Sequence, residues 1–362
     1  MLQPLLEIQP NRVRRNYRGG ALLEALEGRK AARDDDRPED WIASTIRAVN
    51  PGLPPINDEG LSAVCDPEGR PIALVELFAS APDFYLGSEH YKFYGTQLGF
   101  LAKMLDSAMR LHVQAHPTAA FAQKHLGSRW GKLEAYVILG VRDGCDPHIR
   151  LGFQRPPSPA EWRRIVMEQD IPAMDACFDP VPVQVGEVWL VRGGLPHAIG
   201  AGVLMLEVME PTDLVVRCEF EREGVVVPEE GRFMRRDPDL AFQIFDYTPL
   251  SVADVRRTCR IPPVTVNESE THLIGPEHTG SFSISRISAT RTTRIKAAGR
   301  VRIGLVAAGC GHVAAGPVKI QLRPGVRVLL AAGAPDCEFA AADGAPLHVL
   351  LCEPGGMDAS AK

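Results

Sequence analysis

Three short stretches hold the side chains with chemistry to offer. In L-H-V-Q-A-H-P, Gln114 and His116 stand two residues apart in an alternating run, so within a strand both leave the same face. In G-K-L-E-A-Y-V-I-L, Lys132 and Glu134 share a face in the same way. In V-G-E-V-W-L-V-R-G-G-L-P-H-A-I-G, His197 follows a Gly-Gly-Leu-Pro turn. Two imidazoles, a carboxylate and an amide oxygen suit zinc or another divalent ion and leave room for water or a substrate. Arg217, inside the apolar run V-V-R-C, needs an anionic partner, which is either a bound anion or a neighbour such as Asp213 or Glu219.

The elements that must position these residues read mainly as strands. Gly99 to Pro117 reads as two strands joined by a turn at Asp106 to Met109, and Leu2 to Gln9 as a first edge strand. Arg12, Arg14, Arg15 and Arg18 read as a loop facing water, and Ala21 to Ala31 as a helix with one buried face. Thr118 and Ser158 stand at N-cap positions, Ser158 with Glu161 at capping-box spacing. From Val264 short apolar runs recur at Phe282–Ile287, Val301–Val306, Val318–Leu322, Val326–Ala331 and Leu347–Leu351, the pattern of a small barrel. An internal echo aligns V-G-E-V-W-L-V-R-G-G-L-P-H with P-G-V-R-V-L-L-A-A-G-A-P-D at Pro324–Asp336, so that His197 faces Asp336 and the second copy lacks the imidazole.

With 362 residues, 45% hydrophobic and 23% charged, the chain can bury a large core and make two domains. A net charge of −5 argues against nucleic acid or an anionic membrane as partner, while leaving room for a local basic pocket. No apolar run reaches membrane-spanning length, the first residues lack the pattern of a signal peptide, and eight cysteines without a C-x-x-C read as reduced thiols of a cytoplasmic protein.

In the order Q-x-H-P, G-K-x-E and P-H-A-I-G-A-G, the chain resembles the type I mannose-6-phosphate isomerases (phosphomannose isomerases), zinc enzymes of the cupin fold; the motifs are most specific between Phe100 and Phe220. The resemblance implies a mainly β protein of two cupin-type (jelly-roll) β-barrel domains with accessory helices. Residues 1–250 would form the metal-binding catalytic domain and 251–362 a cupin-like domain without metal. It implies Gln114, His116, Glu134 and His197 as ligands of one Zn2+, or another divalent ion, per chain. It makes Arg217, Lys132 and Glu207 catalytic and puts Lys103 and His112 at the substrate; Lys103 reads equally as a strand-end lysine reaching solvent, and Glu207 as a structural carboxylate. His112 departs from the family, which usually has Ser there: a His can donate to a phosphate, or change which sugar fits.

The implied reaction interconverts mannose 6-phosphate and fructose 6-phosphate through a cis-enediol, with the ion as Lewis acid. Arg217 and Lys132 divide between steadying the enediolate and gripping the phosphate, and a metal-bound water, His112 and Glu207 are the candidate bases. The chain would act as a monomer or homodimer on a small sugar phosphate. Two rival readings are an isomerase or epimerase of an unphosphorylated or differently phosphorylated sugar, and a non-catalytic sugar-binding or regulatory cupin.

Overall fold

The computed structural model describes residues 2–356 except 67 and 343, so 357–362, the end of the expected second domain, lie outside the described residues. The protein is mainly β, with antiparallel sheets throughout. Two of them position the site. A seven-stranded sheet is centred on Glu134–Val141, Val203–Met209 and Leu101–Ser107, and a five-stranded sheet holds His148–Leu151, His197–Ile199, Gln114–Ala115 and Val216–Arg217. A nine-stranded and a four-stranded sheet take up most of the remaining strands.

The sheets stack in layers, and side-chain alternation shows how. In Leu101–Ser107 and Val203–Met209 every residue is buried. Ala102, Met104, Leu204, Leu206 and Val208 point to one side, into a core shared with Ile303, Leu329 and Leu350 of the nine-stranded sheet. Leu105, Val203 and Met205 point to the other side, where Ile149, Leu151 and Ile199 of the five-stranded sheet meet them. A strand enclosed on both faces is apolar on both parities, so a charged residue there has to be matched by a partner. Lys103 and Glu207 share the parity of Leu105 and Met205, which places them between the seven- and five-stranded sheets. Beyond the five-stranded sheet, helix Pro159–Glu168 closes the outside with Trp162 against Phe153, Phe178 and Phe245. Ser158 Oγ accepts from Glu161 N at its start, and Thr118 caps helix Ala119–His125 by accepting from Phe121 N.

Several expectations are corrected. The strand Leu5–Ile8 is interior: it pairs along its length with Arg327–Leu330 and on its other side with Val64. The helix at Ala21 ends at Leu26, because Gly28 turns left-handed (φ 79°) and the Glu27 carboxylate is drawn to Arg12 and Arg327. After Ser107 the backbone is irregular until a two-residue strand at Gln114–Ala115. The expected C-terminal runs do form strands, at Phe282–Ala289, Arg302–Ala308, Val318–Leu322, Arg327–Leu330 and Leu347–Pro354. The internal echo has a structural counterpart: Gly186 and Gly325 both have positive φ (89° and 83°), and Val188–Val191 and Arg327–Leu330 occupy the same places in the alignment.

We propose the division near residue 250 with an exchange across it: Leu5–Ile8 joins the C-terminal sheet, and Arg260–Ile261 pairs with Val188–Trp189.

Candidate metal centre and active-site cavity

Strand pairing assembles the site from distant sequence. Gln114 sits directly opposite His197 on one neighbouring strand and Arg217 on the other. In the facing sheet Glu207 lies opposite both Tyr136 and Lys103. Glu134 is two residues from Tyr136 and so shares its face. His116 follows the short strand of Gln114, its carbonyl accepting from Gly194 N at 2.7 Å.

His116, Glu134 and His197 are all buried, and one ligand atom of each lies within 4.8 Å of the other two. His116 Nδ1 donates to Leu214 O at 2.8 Å and His197 Nδ1 donates to Leu195 O at 2.9 Å. A carbonyl only accepts, so both rings carry their proton on Nδ1 and turn Nε2 inward. Burial pushes the His116 ring down to about 3, despite Glu134 beside it, and burial likewise lowers His197. Both rings are thus neutral, with bare Nε2 lone pairs. His116 Nε2 lies 3.0 Å from Glu134 Oε1 and His197 Nε2 lies 3.7 Å from Glu134 Oε2. Glu134 Oε1 is buried without a hydrogen-bond partner. The Lys132 ammonium lies to one side of these acceptors, and the neutral-imidazole and carboxylate set turned on one another fits a divalent ion. Gln114 Nε2 lies 3.4 Å from His197 Nε2, so the amide that could supply a further oxygen is at the cluster's edge.

A cavity beside this cluster is lined by Lys103, His112, Gln114, Lys132, Glu207 and Arg217 among others. Every residue expected at the site is therefore in one place, six on the cavity wall and His116, Glu134 and His197 grouped beside it. Lys132 Nζ is 3.2 Å from Glu134 Oε1 and 3.4 Å from His116 Nε2. Lys103 does not reach solvent: it is buried, with Nζ 3.0 Å from Glu39 Oε1 and 3.1 Å from Glu207 Oε2. Burial opposes its charge, but Glu207 and Glu39 hold its pKa above the ordinary lysine value. Burial, with Glu134 nearby, raises the Glu207 carboxyl above the usual range.

Arg217 does not pair with either expected carboxylate. Asp213 is taken by Arg15, at 3.0 and 3.1 Å, and Glu219 by Arg110, at 2.6 and 2.9 Å. Arg217 donates from Nη1 to Gly231 O at 2.6 Å, and its charge is opposed by burial and by Arg15, which lower its pKa to about 10. His112 is also committed, with Nε2 donating to Val225 O at 3.2 Å.

Arg15 is the main surprise, because a basic cluster next to glycines signals a solvated loop, yet Arg15 is buried on the cavity wall. Glu39 was missed with it. Burial works against the Glu39 charge, but Lys103 and Arg15 outweigh it and hold the carboxyl down at about 2, with Trp41 Nε1 donating to it at 2.7 Å and Tyr17 OH at 2.5 Å. Tyr136, whose hydroxyl donates to Glu134 Oε2 at 2.6 Å, was findable: the alternation that joins Lys132 to Glu134 continues to it.

Fold and site together define a mainly β protein with a buried His–Glu–His cluster able to hold a metal. The resemblance to type I mannose-6-phosphate isomerases holds in sequence over less than half of the chain and in fold over nearly all of it. A mannose-6-phosphate isomerase of Streptococcus mutans is 29% identical over 171 residues, which are 46% of this chain and 51% of that protein. The mannose-6-phosphate isomerase ManA of Bacillus subtilis is 28% identical over 130 residues, 36% of this chain and 39% of that one. The matched stretch thus spans about half the length of the first relative and less of the second. In fold, the crystal structure of the Bacillus subtilis mannose 6-phosphate isomerase superimposes with a TM-score of 0.73 over 97% of this chain and all of that one, at 17% identity. A mannose 6-phosphate isomerase bound with zinc and yttrium gives 0.71 over 98% of this chain and 100% of that one, at 14% identity. No family model matches the chain.

Proposed function

We propose that the protein is a metal-dependent aldose–ketose isomerase that interconverts mannose 6-phosphate and fructose 6-phosphate through a cis-enediol. The observation that carries this is the pairing of a buried acceptor cluster, His116, Glu134 and His197, with a buried guanidinium, Arg217, left without a carboxylate in the same cavity. These three residues, with Gln114, would hold one zinc or similar divalent ion, which when bound supplies a Lewis acid for the oxygen that becomes negative as the enediol forms.

The chain's own residues do the rest. Lys132, beside Glu134 and His116, places an ammonium at the C1–C2 end of the sugar and steadies the enediolate. Arg217 offers a planar fork for the phosphate or for the same developing charge. Glu207, its carboxyl raised by burial, is the base best matched to moving a proton between C1 and C2 near neutral pH. Charge balance agrees: Arg15, Lys103, Lys132 and Arg217 face at most four carboxylates, Glu39, Glu134, Asp213 and Glu207, the last biased by burial toward its neutral form, so a divalent ion leaves positive charge for an anionic substrate. We further propose a cytoplasmic monomer or homodimer; all eight cysteines are free, and among the described residues no helix is long and apolar enough to cross a membrane.

A second reading, an isomerase or epimerase of an unphosphorylated sugar, draws support from the commitment of Lys103 to two carboxylates and of His112 to a backbone carbonyl. Both are tested by incubating metal-stripped and zinc-reloaded protein with mannose 6-phosphate, and His197→Ala alongside. The proposal expects conversion only with metal and none in the variant. Zinc binding without turnover, together with turnover of a free sugar, moves the assignment to the second reading.

A further inference from the structure

The strands Glu221–Arg222 and Val225–Val226 form a hairpin of their own that belongs to none of the larger sheets. Its turn, Glu223-Gly224, has positive φ at both residues (50° and 80°), the geometry of a tight two-residue hairpin turn. Its base is closed by Val227 N donating to Phe220 O at 2.8 Å. One wall of the groove beside it is made of Val225 and Val227, the other of Val49, Pro51 and Leu53, and Arg217 stands at its inner end. Arg15, Asn16 and Arg217 also line the inner cavity, so the groove adjoins the site, and we take it as the mouth.

At its base the hairpin is held by Phe220 N donating to Gln169 Oε1 at 2.6 Å and by Arg232 Nε donating to Val227 O at 3.2 Å, and two further ties come from the segment just before Gln114. Glu219, buried at the hairpin's root, accepts from Arg110 at 2.6 and 2.9 Å, from Val113 N at 2.6 Å and from Arg222 at 2.8 Å. Farther out, His112 Nε2 donates to Val225 O at 3.2 Å, with Val225 packed toward the core that contains Leu111 and Ile199. Glu219 fixes the root; His112 holds the strand that forms the groove wall. A two-stranded hairpin is marginal by itself, so such a tether decides whether the wall stays in place.

We propose that His112 is a positioning residue which latches the 221–226 hairpin across the mouth of the cavity and thereby sets the width through which the far end of the sugar is received. The donor of the ring is spent on Val225 O, so the substrate's anionic group is left to Arg217 at the groove's inner end. This rests on the isomerase reading for its kinetic consequence but not for its structural one.

The test compares His112→Phe, which keeps a ring without the donor, with His112→Gln, which keeps a donor without the ring. Backbone amide exchange is measured on the zinc-loaded protein, without sugar, alongside kcat and KM for mannose 6-phosphate. Loss of one neutral hydrogen bond predicts exchange about fivefold faster over 221–228 in His112→Phe, with strands 101–107 and 134–141 unchanged, and a KM raised about as much at nearly constant kcat. His112→Gln should recover most of both. Unchanged exchange over 221–228 in His112→Phe overturns the latch whatever the activity, as does a fall in kcat at constant KM, which would make His112 a participant in the chemistry. If no sugar phosphate turns over in the parent protein, the function reading fails and the exchange comparison still decides the latch.

Discussion

Holding a guanidinium in a dry interior without a carboxylate is unfavourable unless an anion visits it. Arg217 is in that position, 6% exposed and bonded to the carbonyl of Gly231, with the nearby acids engaged by Arg15 and Arg110. Its function must then show in a reaction more than in the fold. Arg217→Ala is expected to lower kcat/KM by about 10²–10³, the usual loss when one preorganised donor to developing charge is removed, with zinc content unchanged. Arg217→Lys keeps the charge and loses the fork, so it should recover only part of that. Kinetics and metal analysis of both variants check this; full activity in Arg217→Ala would make the residue structural and leave the developing charge to Lys132.

At the level of elements, the site depends on how closely two connections approach the turn between His116 and helix Ala119–His125. Gly131 and Gly193 both lie against the backbone of Pro117 and Thr118, and a Cβ at Gly131 would come within 2.3 Å of Pro117 O and 2.5 Å of Thr118 C. Backbone cannot yield as a flexible side chain can, so Gly131→Ala must move Lys132 and the strand that starts at Glu134. Zinc affinity is expected to fall more than about tenfold, the scale on which displaced supporting groups act. Gly127→Ala is the control: its φ of 69° strains alanine, but a Cβ there meets nothing within 4 Å. It should lower stability by about 1 kcal/mol and leave zinc affinity alone. Competition with a chelator separates the two.

The same elements show what sequence could and could not convey. Gln114, His116, Lys132 and Glu134 were legible because a period of two reports a shared face directly, and Thr118 and Ser158 because a cap needs only local partners. Five of the strands from Phe282 onward were legible from spacing alone, but Thr292–Ile295, Gly311–Ala315 and Cys337–Ala341 were not. Arg15 and Glu39 were not, because what buries them lies far along the chain: Arg15 meets Asp213, 198 residues away, and Glu39 meets Lys103. The inner position of Leu5–Ile8 was hidden for the same reason, its partner strand beginning at Arg327.

For the whole molecule, that distant pairing makes the N-terminal strand and its surroundings a joint between the layers. Arg327, buried in the nine-stranded sheet, bonds to Asp40 in the seven-stranded sheet and to Glu27 after the first helix, and Arg12 reaches Glu27 at 3.1 Å. Breaking a buried pair from one side leaves its carboxylates without the compensation that made burial tolerable. Arg327→Met is therefore expected to lower unfolding free energy by about 3 kcal/mol near pH 7, measured by urea denaturation. The pH dependence follows from Glu27: burial raises its carboxyl, but Arg12 and Arg327 outweigh that and hold it below its ordinary value of 4.5. A depressed carboxyl contributes stability that is present in full above its unfolded pKa and is lost as pH falls through the folded one. The parent protein should lose part of this contribution below about pH 4.5, where Arg327→Met has less of it to lose. The gap between the two unfolding curves should accordingly narrow from pH 7 to pH 3. A gap that stays constant over that range would show that Arg327 stabilises the joint by packing its aliphatic stem and not by its charge.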